Sequence, residues 1–414
     1  MSRTLRRLLP VALVALLGAG PARAATAPAE IRIGTLYASS GRYASISMPV
    51  HYGLKLWADQ MNAQGGVYVK AFDRKIPVKI VAYDDQSNTG TAATLYSQLI
   101  TQDKVDLLVA DSGSVLTSVA VPIAREHKRL LIDQTGTGAN FFTPDNPYIV
   151  LCDIAVSSMW PSYLSQFLND QGPALGIKRV ALLYATNNFT GGLASSVHKA
   201  LTDAKKVEIV FEEGVPTETS NYNVLLAKIR AARPDFVIEF GYAPNDIAFL
   251  RNVFEGGHKF KALFTTYSGL ELDLLGKNVG AKGLEYNITF VSADRAHYPV
   301  NFGMNIDQFK AAWGKAYAGA HVEFGYNSIA GYNTGLIVEK GLGGAATFDQ
   351  LEIRKAIFAQ SGKLDTIAGH FELDANGAQI GMIPPVGQIV QEKGALEVKP
   401  IYPTAVAKPI YPRP

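Results

Sequence analysis

Four consecutive residues, Asp111-Ser112-Gly113-Ser114, interrupt the apolar run VDLLVA (105–110) and precede a helical pattern. A strand-to-helix junction of this composition leaves backbone N–H groups unpaired at the helix start. Serine side chains can cap them, or N–H groups and hydroxyls together can hold an anion. The chemistry on offer is recognition of an anion such as a carboxylate, not bond breaking. No HExxH, paired CxxC, GxSxG or P-loop occurs, and the seven histidines are scattered. The single cysteine, Cys152, reads as a small buried hydrophobe. No catalytic residue, metal ligand or cofactor is therefore expected, and an enzyme is disfavoured. Asp84-Asp85 reads as a loop-capping pair. Gly136-Thr137-Gly138 lacks the third glycine of a dinucleotide fingerprint and reads as a cleft loop. Asp374-Ala375-Asn376-Gly377 reads as a β-turn centred on Asn-Gly, since the twelfth position of a calcium loop would be Pro385.

The elements that must position such a junction alternate along the chain. IRIGTLYA (31–38) reads as a strand. Val50, Leu54, Trp57 and Met61 then fall at spacings of four, three and four, which puts them on one helical face. Glycines at 65 and 66 suit the end of that helix. IPVKIVAYD (76–84), VDLLVA and RLLID (129–133) continue as strands with helices between them. After IVLCD (149–153) the pattern restarts with KRVALLYA (178–185), VEIVFEE (207–213), PDFVIEFG (234–241), KALFTTY (261–267) and GLEYNITFVS (283–292). Such βαβ series build mostly parallel sheets covered by helices on both faces. The expected fold is α/β with two doubly wound parallel-sheet lobes: residues 28–150 with 290–370, and 151–289 with 371–400. Ligands of such sheets lie beyond the carboxyl ends of the strands. The informative residues are thus those just after each strand, including Tyr43, Gly113, Ser114, Thr135, Thr137, Phe189, Tyr242 and Tyr267.

The N-terminus, MSRTLRRLLPVALVALLGAGPARA, has a basic start, a short apolar core and a small-x-small end. It reads as a signal peptide, cleaved after Ala24, with export to the periplasm. Removing Arg3, Arg6, Arg7 and Arg23 from 39 basic residues leaves 35 against 36 acidic ones. A near-neutral mature chain does not fit a nucleic-acid or anionic-membrane partner. The residues from 401 to 414 read as a proline-rich tail, extended or disordered.

Several stretches, in order, resemble the leucine/isoleucine/valine-binding protein family, the type I solute-binding proteins of ATP-driven importers. They are IRIGTLYASSGRYA, ADQMNAQGGVYV, YDDQSNTGTAATLYSQLI, VDLLVADSGSVLTSVAVPIA, LLYATNNFTGGLA and DFVIEFGYAPNDIAFLRN. The resemblance implies a flytrap of two lobes joined by three hinge strands, a monomer, and a small-molecule ligand. It also implies a membrane permease with ATPase subunits as partners. It implies that Ser114, helped by Thr137 and Thr135, holds the ligand carboxylate, and that Phe189 and Tyr242 sandwich its body. One departure stands out. Amino-acid binders of the family place an acid after the strand that here reads KALFTT, and this chain has Tyr267-Ser268. Either another acid serves, with Glu239, Asp246 and Asp85 as candidates, or the ligand is an aromatic or aliphatic acid without an amino group. An extracytoplasmic sensor would use the same flytrap, and a secreted hydrolase would need a nucleophile–base pair or metal set not found here.

Overall fold

The computed structural model describes residues 26–320 and 322–403. The signal-peptide reading of residues 1–24 lies outside them. The first half of the chain forms β1 (Ile31–Tyr37), α1 (Ala44–Ala63), β2 (Val67–Val69), β3 (Arg74–Ile76), β4 (Val78–Asp84), α2 (Thr89–Thr101), β5 (Leu107–Val109), α3 (Ser114–Glu126), β6 (Leu131–Asp133) and β7 (Ile149–Leu151). Then follow α4 (Ser162–Asp170), β8 (Arg179–Ala185), α5 (Thr190–Ala204), β9 (Glu208–Val215), α6 (Asn223–Ala232), β10 (Phe236–Phe240), α7 (Ala243–Glu255), β11 (Ala262–Thr265), α8 (Leu272–Val279), α9 (Ala281–Leu284) and β12 (Ile288–Phe290). The last third holds α10 (Ala293–Ala296), α11 (Ile306–Ala316), α12 (Tyr326–Gly344), α13 (Gln350–Phe358), β13 (Leu364–Thr366), β14 (Gly369–Phe371), β15 (Val386–Glu392) and β16 (Ala395–Tyr402).

Two sheets result. The first runs β4-β1-β5-β6-β7, all parallel. The second runs β16-β15-β12-β11-β10-β8-β9, parallel from β12 to β9, with β15 and β16 added antiparallel at one edge. In each sheet the first strand of the lobe is flanked by the next two, so the order reverses beside it. The reversals lie between β1 and β5 and between β8 and β10. At such a point the connections leave in opposite directions and open a crevice above the strand ends. The chain crosses between the lobes after β7, after β12 and before β15.

The first lobe is completed by the late helices. α12 is buried nearly all round from Tyr326 to Val338, as expected of a helix with no polar face. Its small residues allow α1 to pack against it backbone to backbone. A Cβ on Gly331 would stand 1.8 Å from the Val50 carbonyl, and one on Gly53 would stand 2.1 Å from the Ser328 carbonyl. Trp57 packs directly against Gly335, its Cγ 2.2 Å from where a Cβ would be. Leu54 and Trp57, read from the sequence as one helical face, sit fully buried in this core.

The C-terminal segment departs from the expected lobe boundaries. Phe371, Leu373 and Met382, assigned to the second lobe, pack in the core of the first. The Gly377 carbonyl also accepts from the Leu151 N–H. The tail expected from 401 is partly strand: Ile401 and Tyr402 belong to β16, and Ile401 is buried. Residues 404–414 lie outside the described residues. The turn at Asp374 closes from the Gly377 N–H to the Asp374 carbonyl, so Ala375-Asn376, not Asn-Gly, is its centre. Cys152 is buried, as expected. Among the described residues no helix is long and apolar enough to cross a membrane, and no cluster of three or more His, Cys, Asp or Glu side chains could hold a metal.

Candidate functional site

The loops beyond the two reversal points face one another. Between them lies a narrow cavity of about 10 Å³ lined by Ile46, Ser112, Gly113, Thr135, Trp160, Phe189, Tyr242, Tyr267, Tyr326 and Asn327. The first lobe supplies Ile46 from α1, the junction before α3 and the loop after β6. The second supplies Phe189, Tyr242 and Tyr267, from the loops after β8, β10 and β11. Trp160 comes from a crossing, and Tyr326 and Asn327 from the start of α12. Apolar packing runs across the cleft: Tyr43, Ile46 and Leu116 belong to the same buried cluster as the second sheet.

The junction is held by polar contacts at both ends. Gly113 sits at φ +80°, a conformation that glycine adopts without strain, and forms the cap position of α3. Its N–H donates to Thr135 Oγ1 at 2.9 Å, and the Ser112 and Thr135 hydroxyls lie 3.2 Å apart. Ser114 is the first helical residue, not the cap. Its Oγ accepts from the Gly138 N–H at 3.1 Å, which leaves its own hydroxyl proton free to donate. Thr137 Oγ1 is buried and has no partner. Below the junction, the Asp111 N–H donates to the Tyr96 hydroxyl at 2.7 Å, and Asp133 Oδ1 accepts from the Gly136 N–H at 2.7 Å. Both loops are thus pinned from beneath while the start of α3 faces the cavity with its partial positive charge.

The opposite walls are aromatic. The Trp160 and Phe189 ring centroids lie 4.7 Å apart, Phe189 and Tyr242 5.6 Å, and Tyr242 and Tyr267 5.9 Å. Tyr43 does not line the cavity; it packs edge-on against Tyr242 at 5.5 Å from the first lobe. Burial pushes the Tyr43 phenol up to about 12 and the Tyr242 phenol higher still, so both stay protonated.

No acid lines the cavity, and the three candidate counter-acids are engaged elsewhere. Glu239 and Asp246 lie buried side by side. Burial, then mutual repulsion in the case of Glu239, raises their carboxyls, and the pair is arranged to share a proton. Asp246 Oδ2 accepts from the Tyr267 N–H at 2.6 Å, so the pair supports the aromatic wall from behind. Asp85 is buried beside Asp111 in the first lobe, where its Oδ1 caps Ser87. Asp84 accepts from the Ser39 and Gln86 N–H groups, so Asp84-Asp85 is the loop-capping pair expected. An acid that the sequence reading did not single out, Glu271, accepts from Asn327 Nδ2 at 3.1 Å on the far side of Asn327. Burial raises it to about 8.

Of the eight residues singled out in the sequence, Gly113, Thr135, Phe189, Tyr242 and Tyr267 line the cavity. Ser114, Thr137 and Tyr43 stand just behind the lining. Trp160, Tyr326, Asn327 and Ile46 were missed. Ile46 and Asn327 carry no local signal, but Trp160, directly after IVLCDIAVSSM, lies on a stretch where the pattern changes lobes.

Residues 30–393 match the family model described as Periplasmic binding protein. Among curated relatives, the Leu/Ile/Val-binding protein homolog 7 of Brucella abortus (strain 2308) is 25% identical over 417 residues, covering 95% of this chain and 96% of its own. Among solved structures, the branched-chain amino acid transporter substrate binding protein LivJ of Streptococcus pneumoniae, in complex with isoleucine, superposes with a TM-score of 0.70. It is 20% identical, and the match covers 90% of this chain and 99% of that one. A solute binding protein of an ABC transporter from R. palustris, in complex with benzoate, superposes with a TM-score of 0.70 at 18% identity, covering 90% and 96%.

Proposed function

The chain belongs to the periplasmic binding protein family, and from that premise we propose that it is the periplasmic substrate-binding component of an ABC importer, taking a small carboxylate without an amino group. One observation carries the choice of ligand: the interlobe cavity has a helix start and hydroxyls at one side, aromatic rings at the other, and no acid in its lining. A carboxylate at the start of α3 meets N–H donors and the helix dipole. A ligand ammonium in the same enclosure would have no counter-ion, and burying an unpaired charge is costly. The aromatic walls suit an apolar or aromatic body. The benzoate complex of the R. palustris neighbour supports this class, whereas the names of the curated relatives favour branched-chain amino acids. Closure over the ligand selects one conformation, which then docks on a permease with its ATPase subunits.

The test is thermal. Residues 25–414, unfolded and refolded to strip co-purified ligand, are melted against amino acids and amino-free aliphatic and aromatic acids. A true ligand at 100 times its Kd adds about 2.7 kcal/mol, a shift of a few degrees at this size. A shift with amino-free acids is expected. A shift with amino acids alone would overturn the ligand class and turn attention to Glu271. For import, deletion of the gene should abolish uptake of the acid that binds; unchanged uptake would remove the transport reading.

A further inference from the structure

We propose that Glu271 is a latch between the lobes: when the cleft closes, its carboxyl locks onto Asn327 and Ser45 of the first lobe and so positions Asn327 in the cavity wall. The inference rests on the two-lobe binding reading given above, with Glu271 as a positioning residue outside the cavity lining. Glu271 stands at the head of α8 in the second lobe. Its N–H donates to the Tyr267 carbonyl at 2.8 Å, and its carbonyl accepts from the Leu275 N–H at 3.0 Å. Its side chain nevertheless reaches the first lobe. Asn327 Nδ2, at the start of α12, donates to Glu271 Oε1 at 3.1 Å, and the Ser45 hydroxyl of α1 faces the same carboxyl. Since α1 and α12 are packed backbone to backbone, the carboxyl closes on a rigid seam. Asn327 lines the ligand cavity. Glu271 lies on its other side, in a separate cavity of about 40 Å³ that Ser45 and Asn327 also line. As a whole the residue is half-buried, but its carboxyl is enclosed. A second contact across this seam, Lys277 Nζ to Glu323 at 2.9 Å, is an exposed ion pair that contributes little.

The latch works with a proton on it. A neutral carboxyl accepts from Asn327 on one oxygen and can donate to Ser45 Oγ from the other. An ionised carboxylate would be enclosed among other acids: Asp273 on its own helix, Asp246 from α7, Asp294 from α10 and Glu323 ahead of α12. The neighbouring cations are engaged, Lys277 by Glu323 and Arg295 beside Asp294. The Tyr267 and Tyr326 phenols are raised by burial and stay neutral. Burial, opposed in part by the Asn327 bond, therefore holds Glu271 up at about 8 in the closed molecule. In an open cleft the carboxyl meets water and returns toward the ordinary carboxylate range. Between those two values closing takes up a proton, so closure is favoured at low pH and weakens as pH rises toward 8.

The experiment compares wild type with Glu271→Gln, which keeps an acceptor for Asn327 and a donor for Ser45 but has no proton to lose. Small-angle scattering of the ligand-free proteins at pH 6.5, 7.5 and 8.5 reads closure directly. Wild type should expand as pH rises, and Glu271→Gln should stay compact throughout. A wild-type radius that does not change with pH would overturn the proposal, as would an equal expansion of the variant. Titration calorimetry with benzoate and 4-methylpentanoate, both ionised over this range, is the second arm. The affinity of wild type for the acid it binds should fall about tenfold or more from pH 6.5 to 8.5, with proton uptake at the lower end, and that of Glu271→Gln should stay level. A level wild-type profile, or the same fall in both proteins, would overturn the latch while leaving the binding function intact. Should neither acid bind, the proposed ligand class falls, and the scattering arm still decides the latch.

Discussion

At the residue scale, Gly113 does two jobs that no other residue can share. Its φ of +80° strains any L side chain, and a Cβ there would press within 3.3 Å of both the Tyr242 hydroxyl and Ile46 Cδ1. Gly113→Ala should cost about 1 kcal/mol or more in stability from the backbone alone, measured by denaturant unfolding. It should also weaken ligand binding, because Ile46 Cδ1 and the Tyr242 hydroxyl would have to give way for the lobes to meet. Retained affinity would show that the α3 start does not form the site. Thr135 is the other pinning residue. Its hydroxyl accepts from Gly113 and touches Ser112. Thr135→Val leaves a buried N–H without an acceptor, for an expected loss of about 1–3 kcal/mol; a neutral effect on the melting temperature would mean that the loop relaxes freely. The junction's residue types were readable in advance because cap chemistry is local. That Ser114 stands inside the helix and Gly113 at the cap was not, because the cap position depends on how the loop meets Thr135.

At the element scale, the first lobe depends on the crossing of α1 and α12. Gly331→Ala would drive a methyl into the Val50 carbonyl, and backbone cannot give way as a flexible side chain can. Overpacking of this kind costs about 1–3 kcal/mol or more. A melting curve should therefore move down by several degrees, whereas Gly314→Ala, on α11 with open space around its Cβ, should move it little. The helical face through Leu54 and Trp57 was legible from spacing. Its partner was not, since α12 is buried on all sides and shows no preferred face. The short hairpins β2–β3 and β13–β14 also escaped notice, because three-residue strands leave no alternation to read. The edge pair β15–β16 was hidden by prolines that an edge strand tolerates.

At the scale of the whole molecule, buried acids set the pH response. Burial raises Asp153 to about 7 and Glu271 to about 8. Both hold their proton in the folded state at a pH where the unfolded chain has released it. Their contribution is complete below the unfolded carboxylate range and is lost as pH rises through 7 and 8. His51, lowered to about 4 by burial, works in the opposite sense, but its contribution is already in place above about pH 6.5. The melting temperature should therefore fall between pH 6.5 and 8.5, and Glu271→Gln should flatten that fall. A melting temperature that rises over this window would contradict the burial of these acids.

The alternation of short strands and amphipathic helices, the restart after residue 150, and the Ser/Gly strand-to-helix junction before α3 were all visible in the chain. Each depends on residues within one or two turns of one another, where periodicity and capping leave a direct record. The cavity depends on contacts between residues more than a hundred positions apart. Tyr242 meets Gly113, and Trp160 meets Tyr326, only because two sheets, each reversing its strand order, bring their loops face to face. No local pattern encodes that approach. It is set by the packing of α12 against α1 and by the three crossings. The same packing determines which acids are withdrawn from the cavity and which donors are left there without an acceptor.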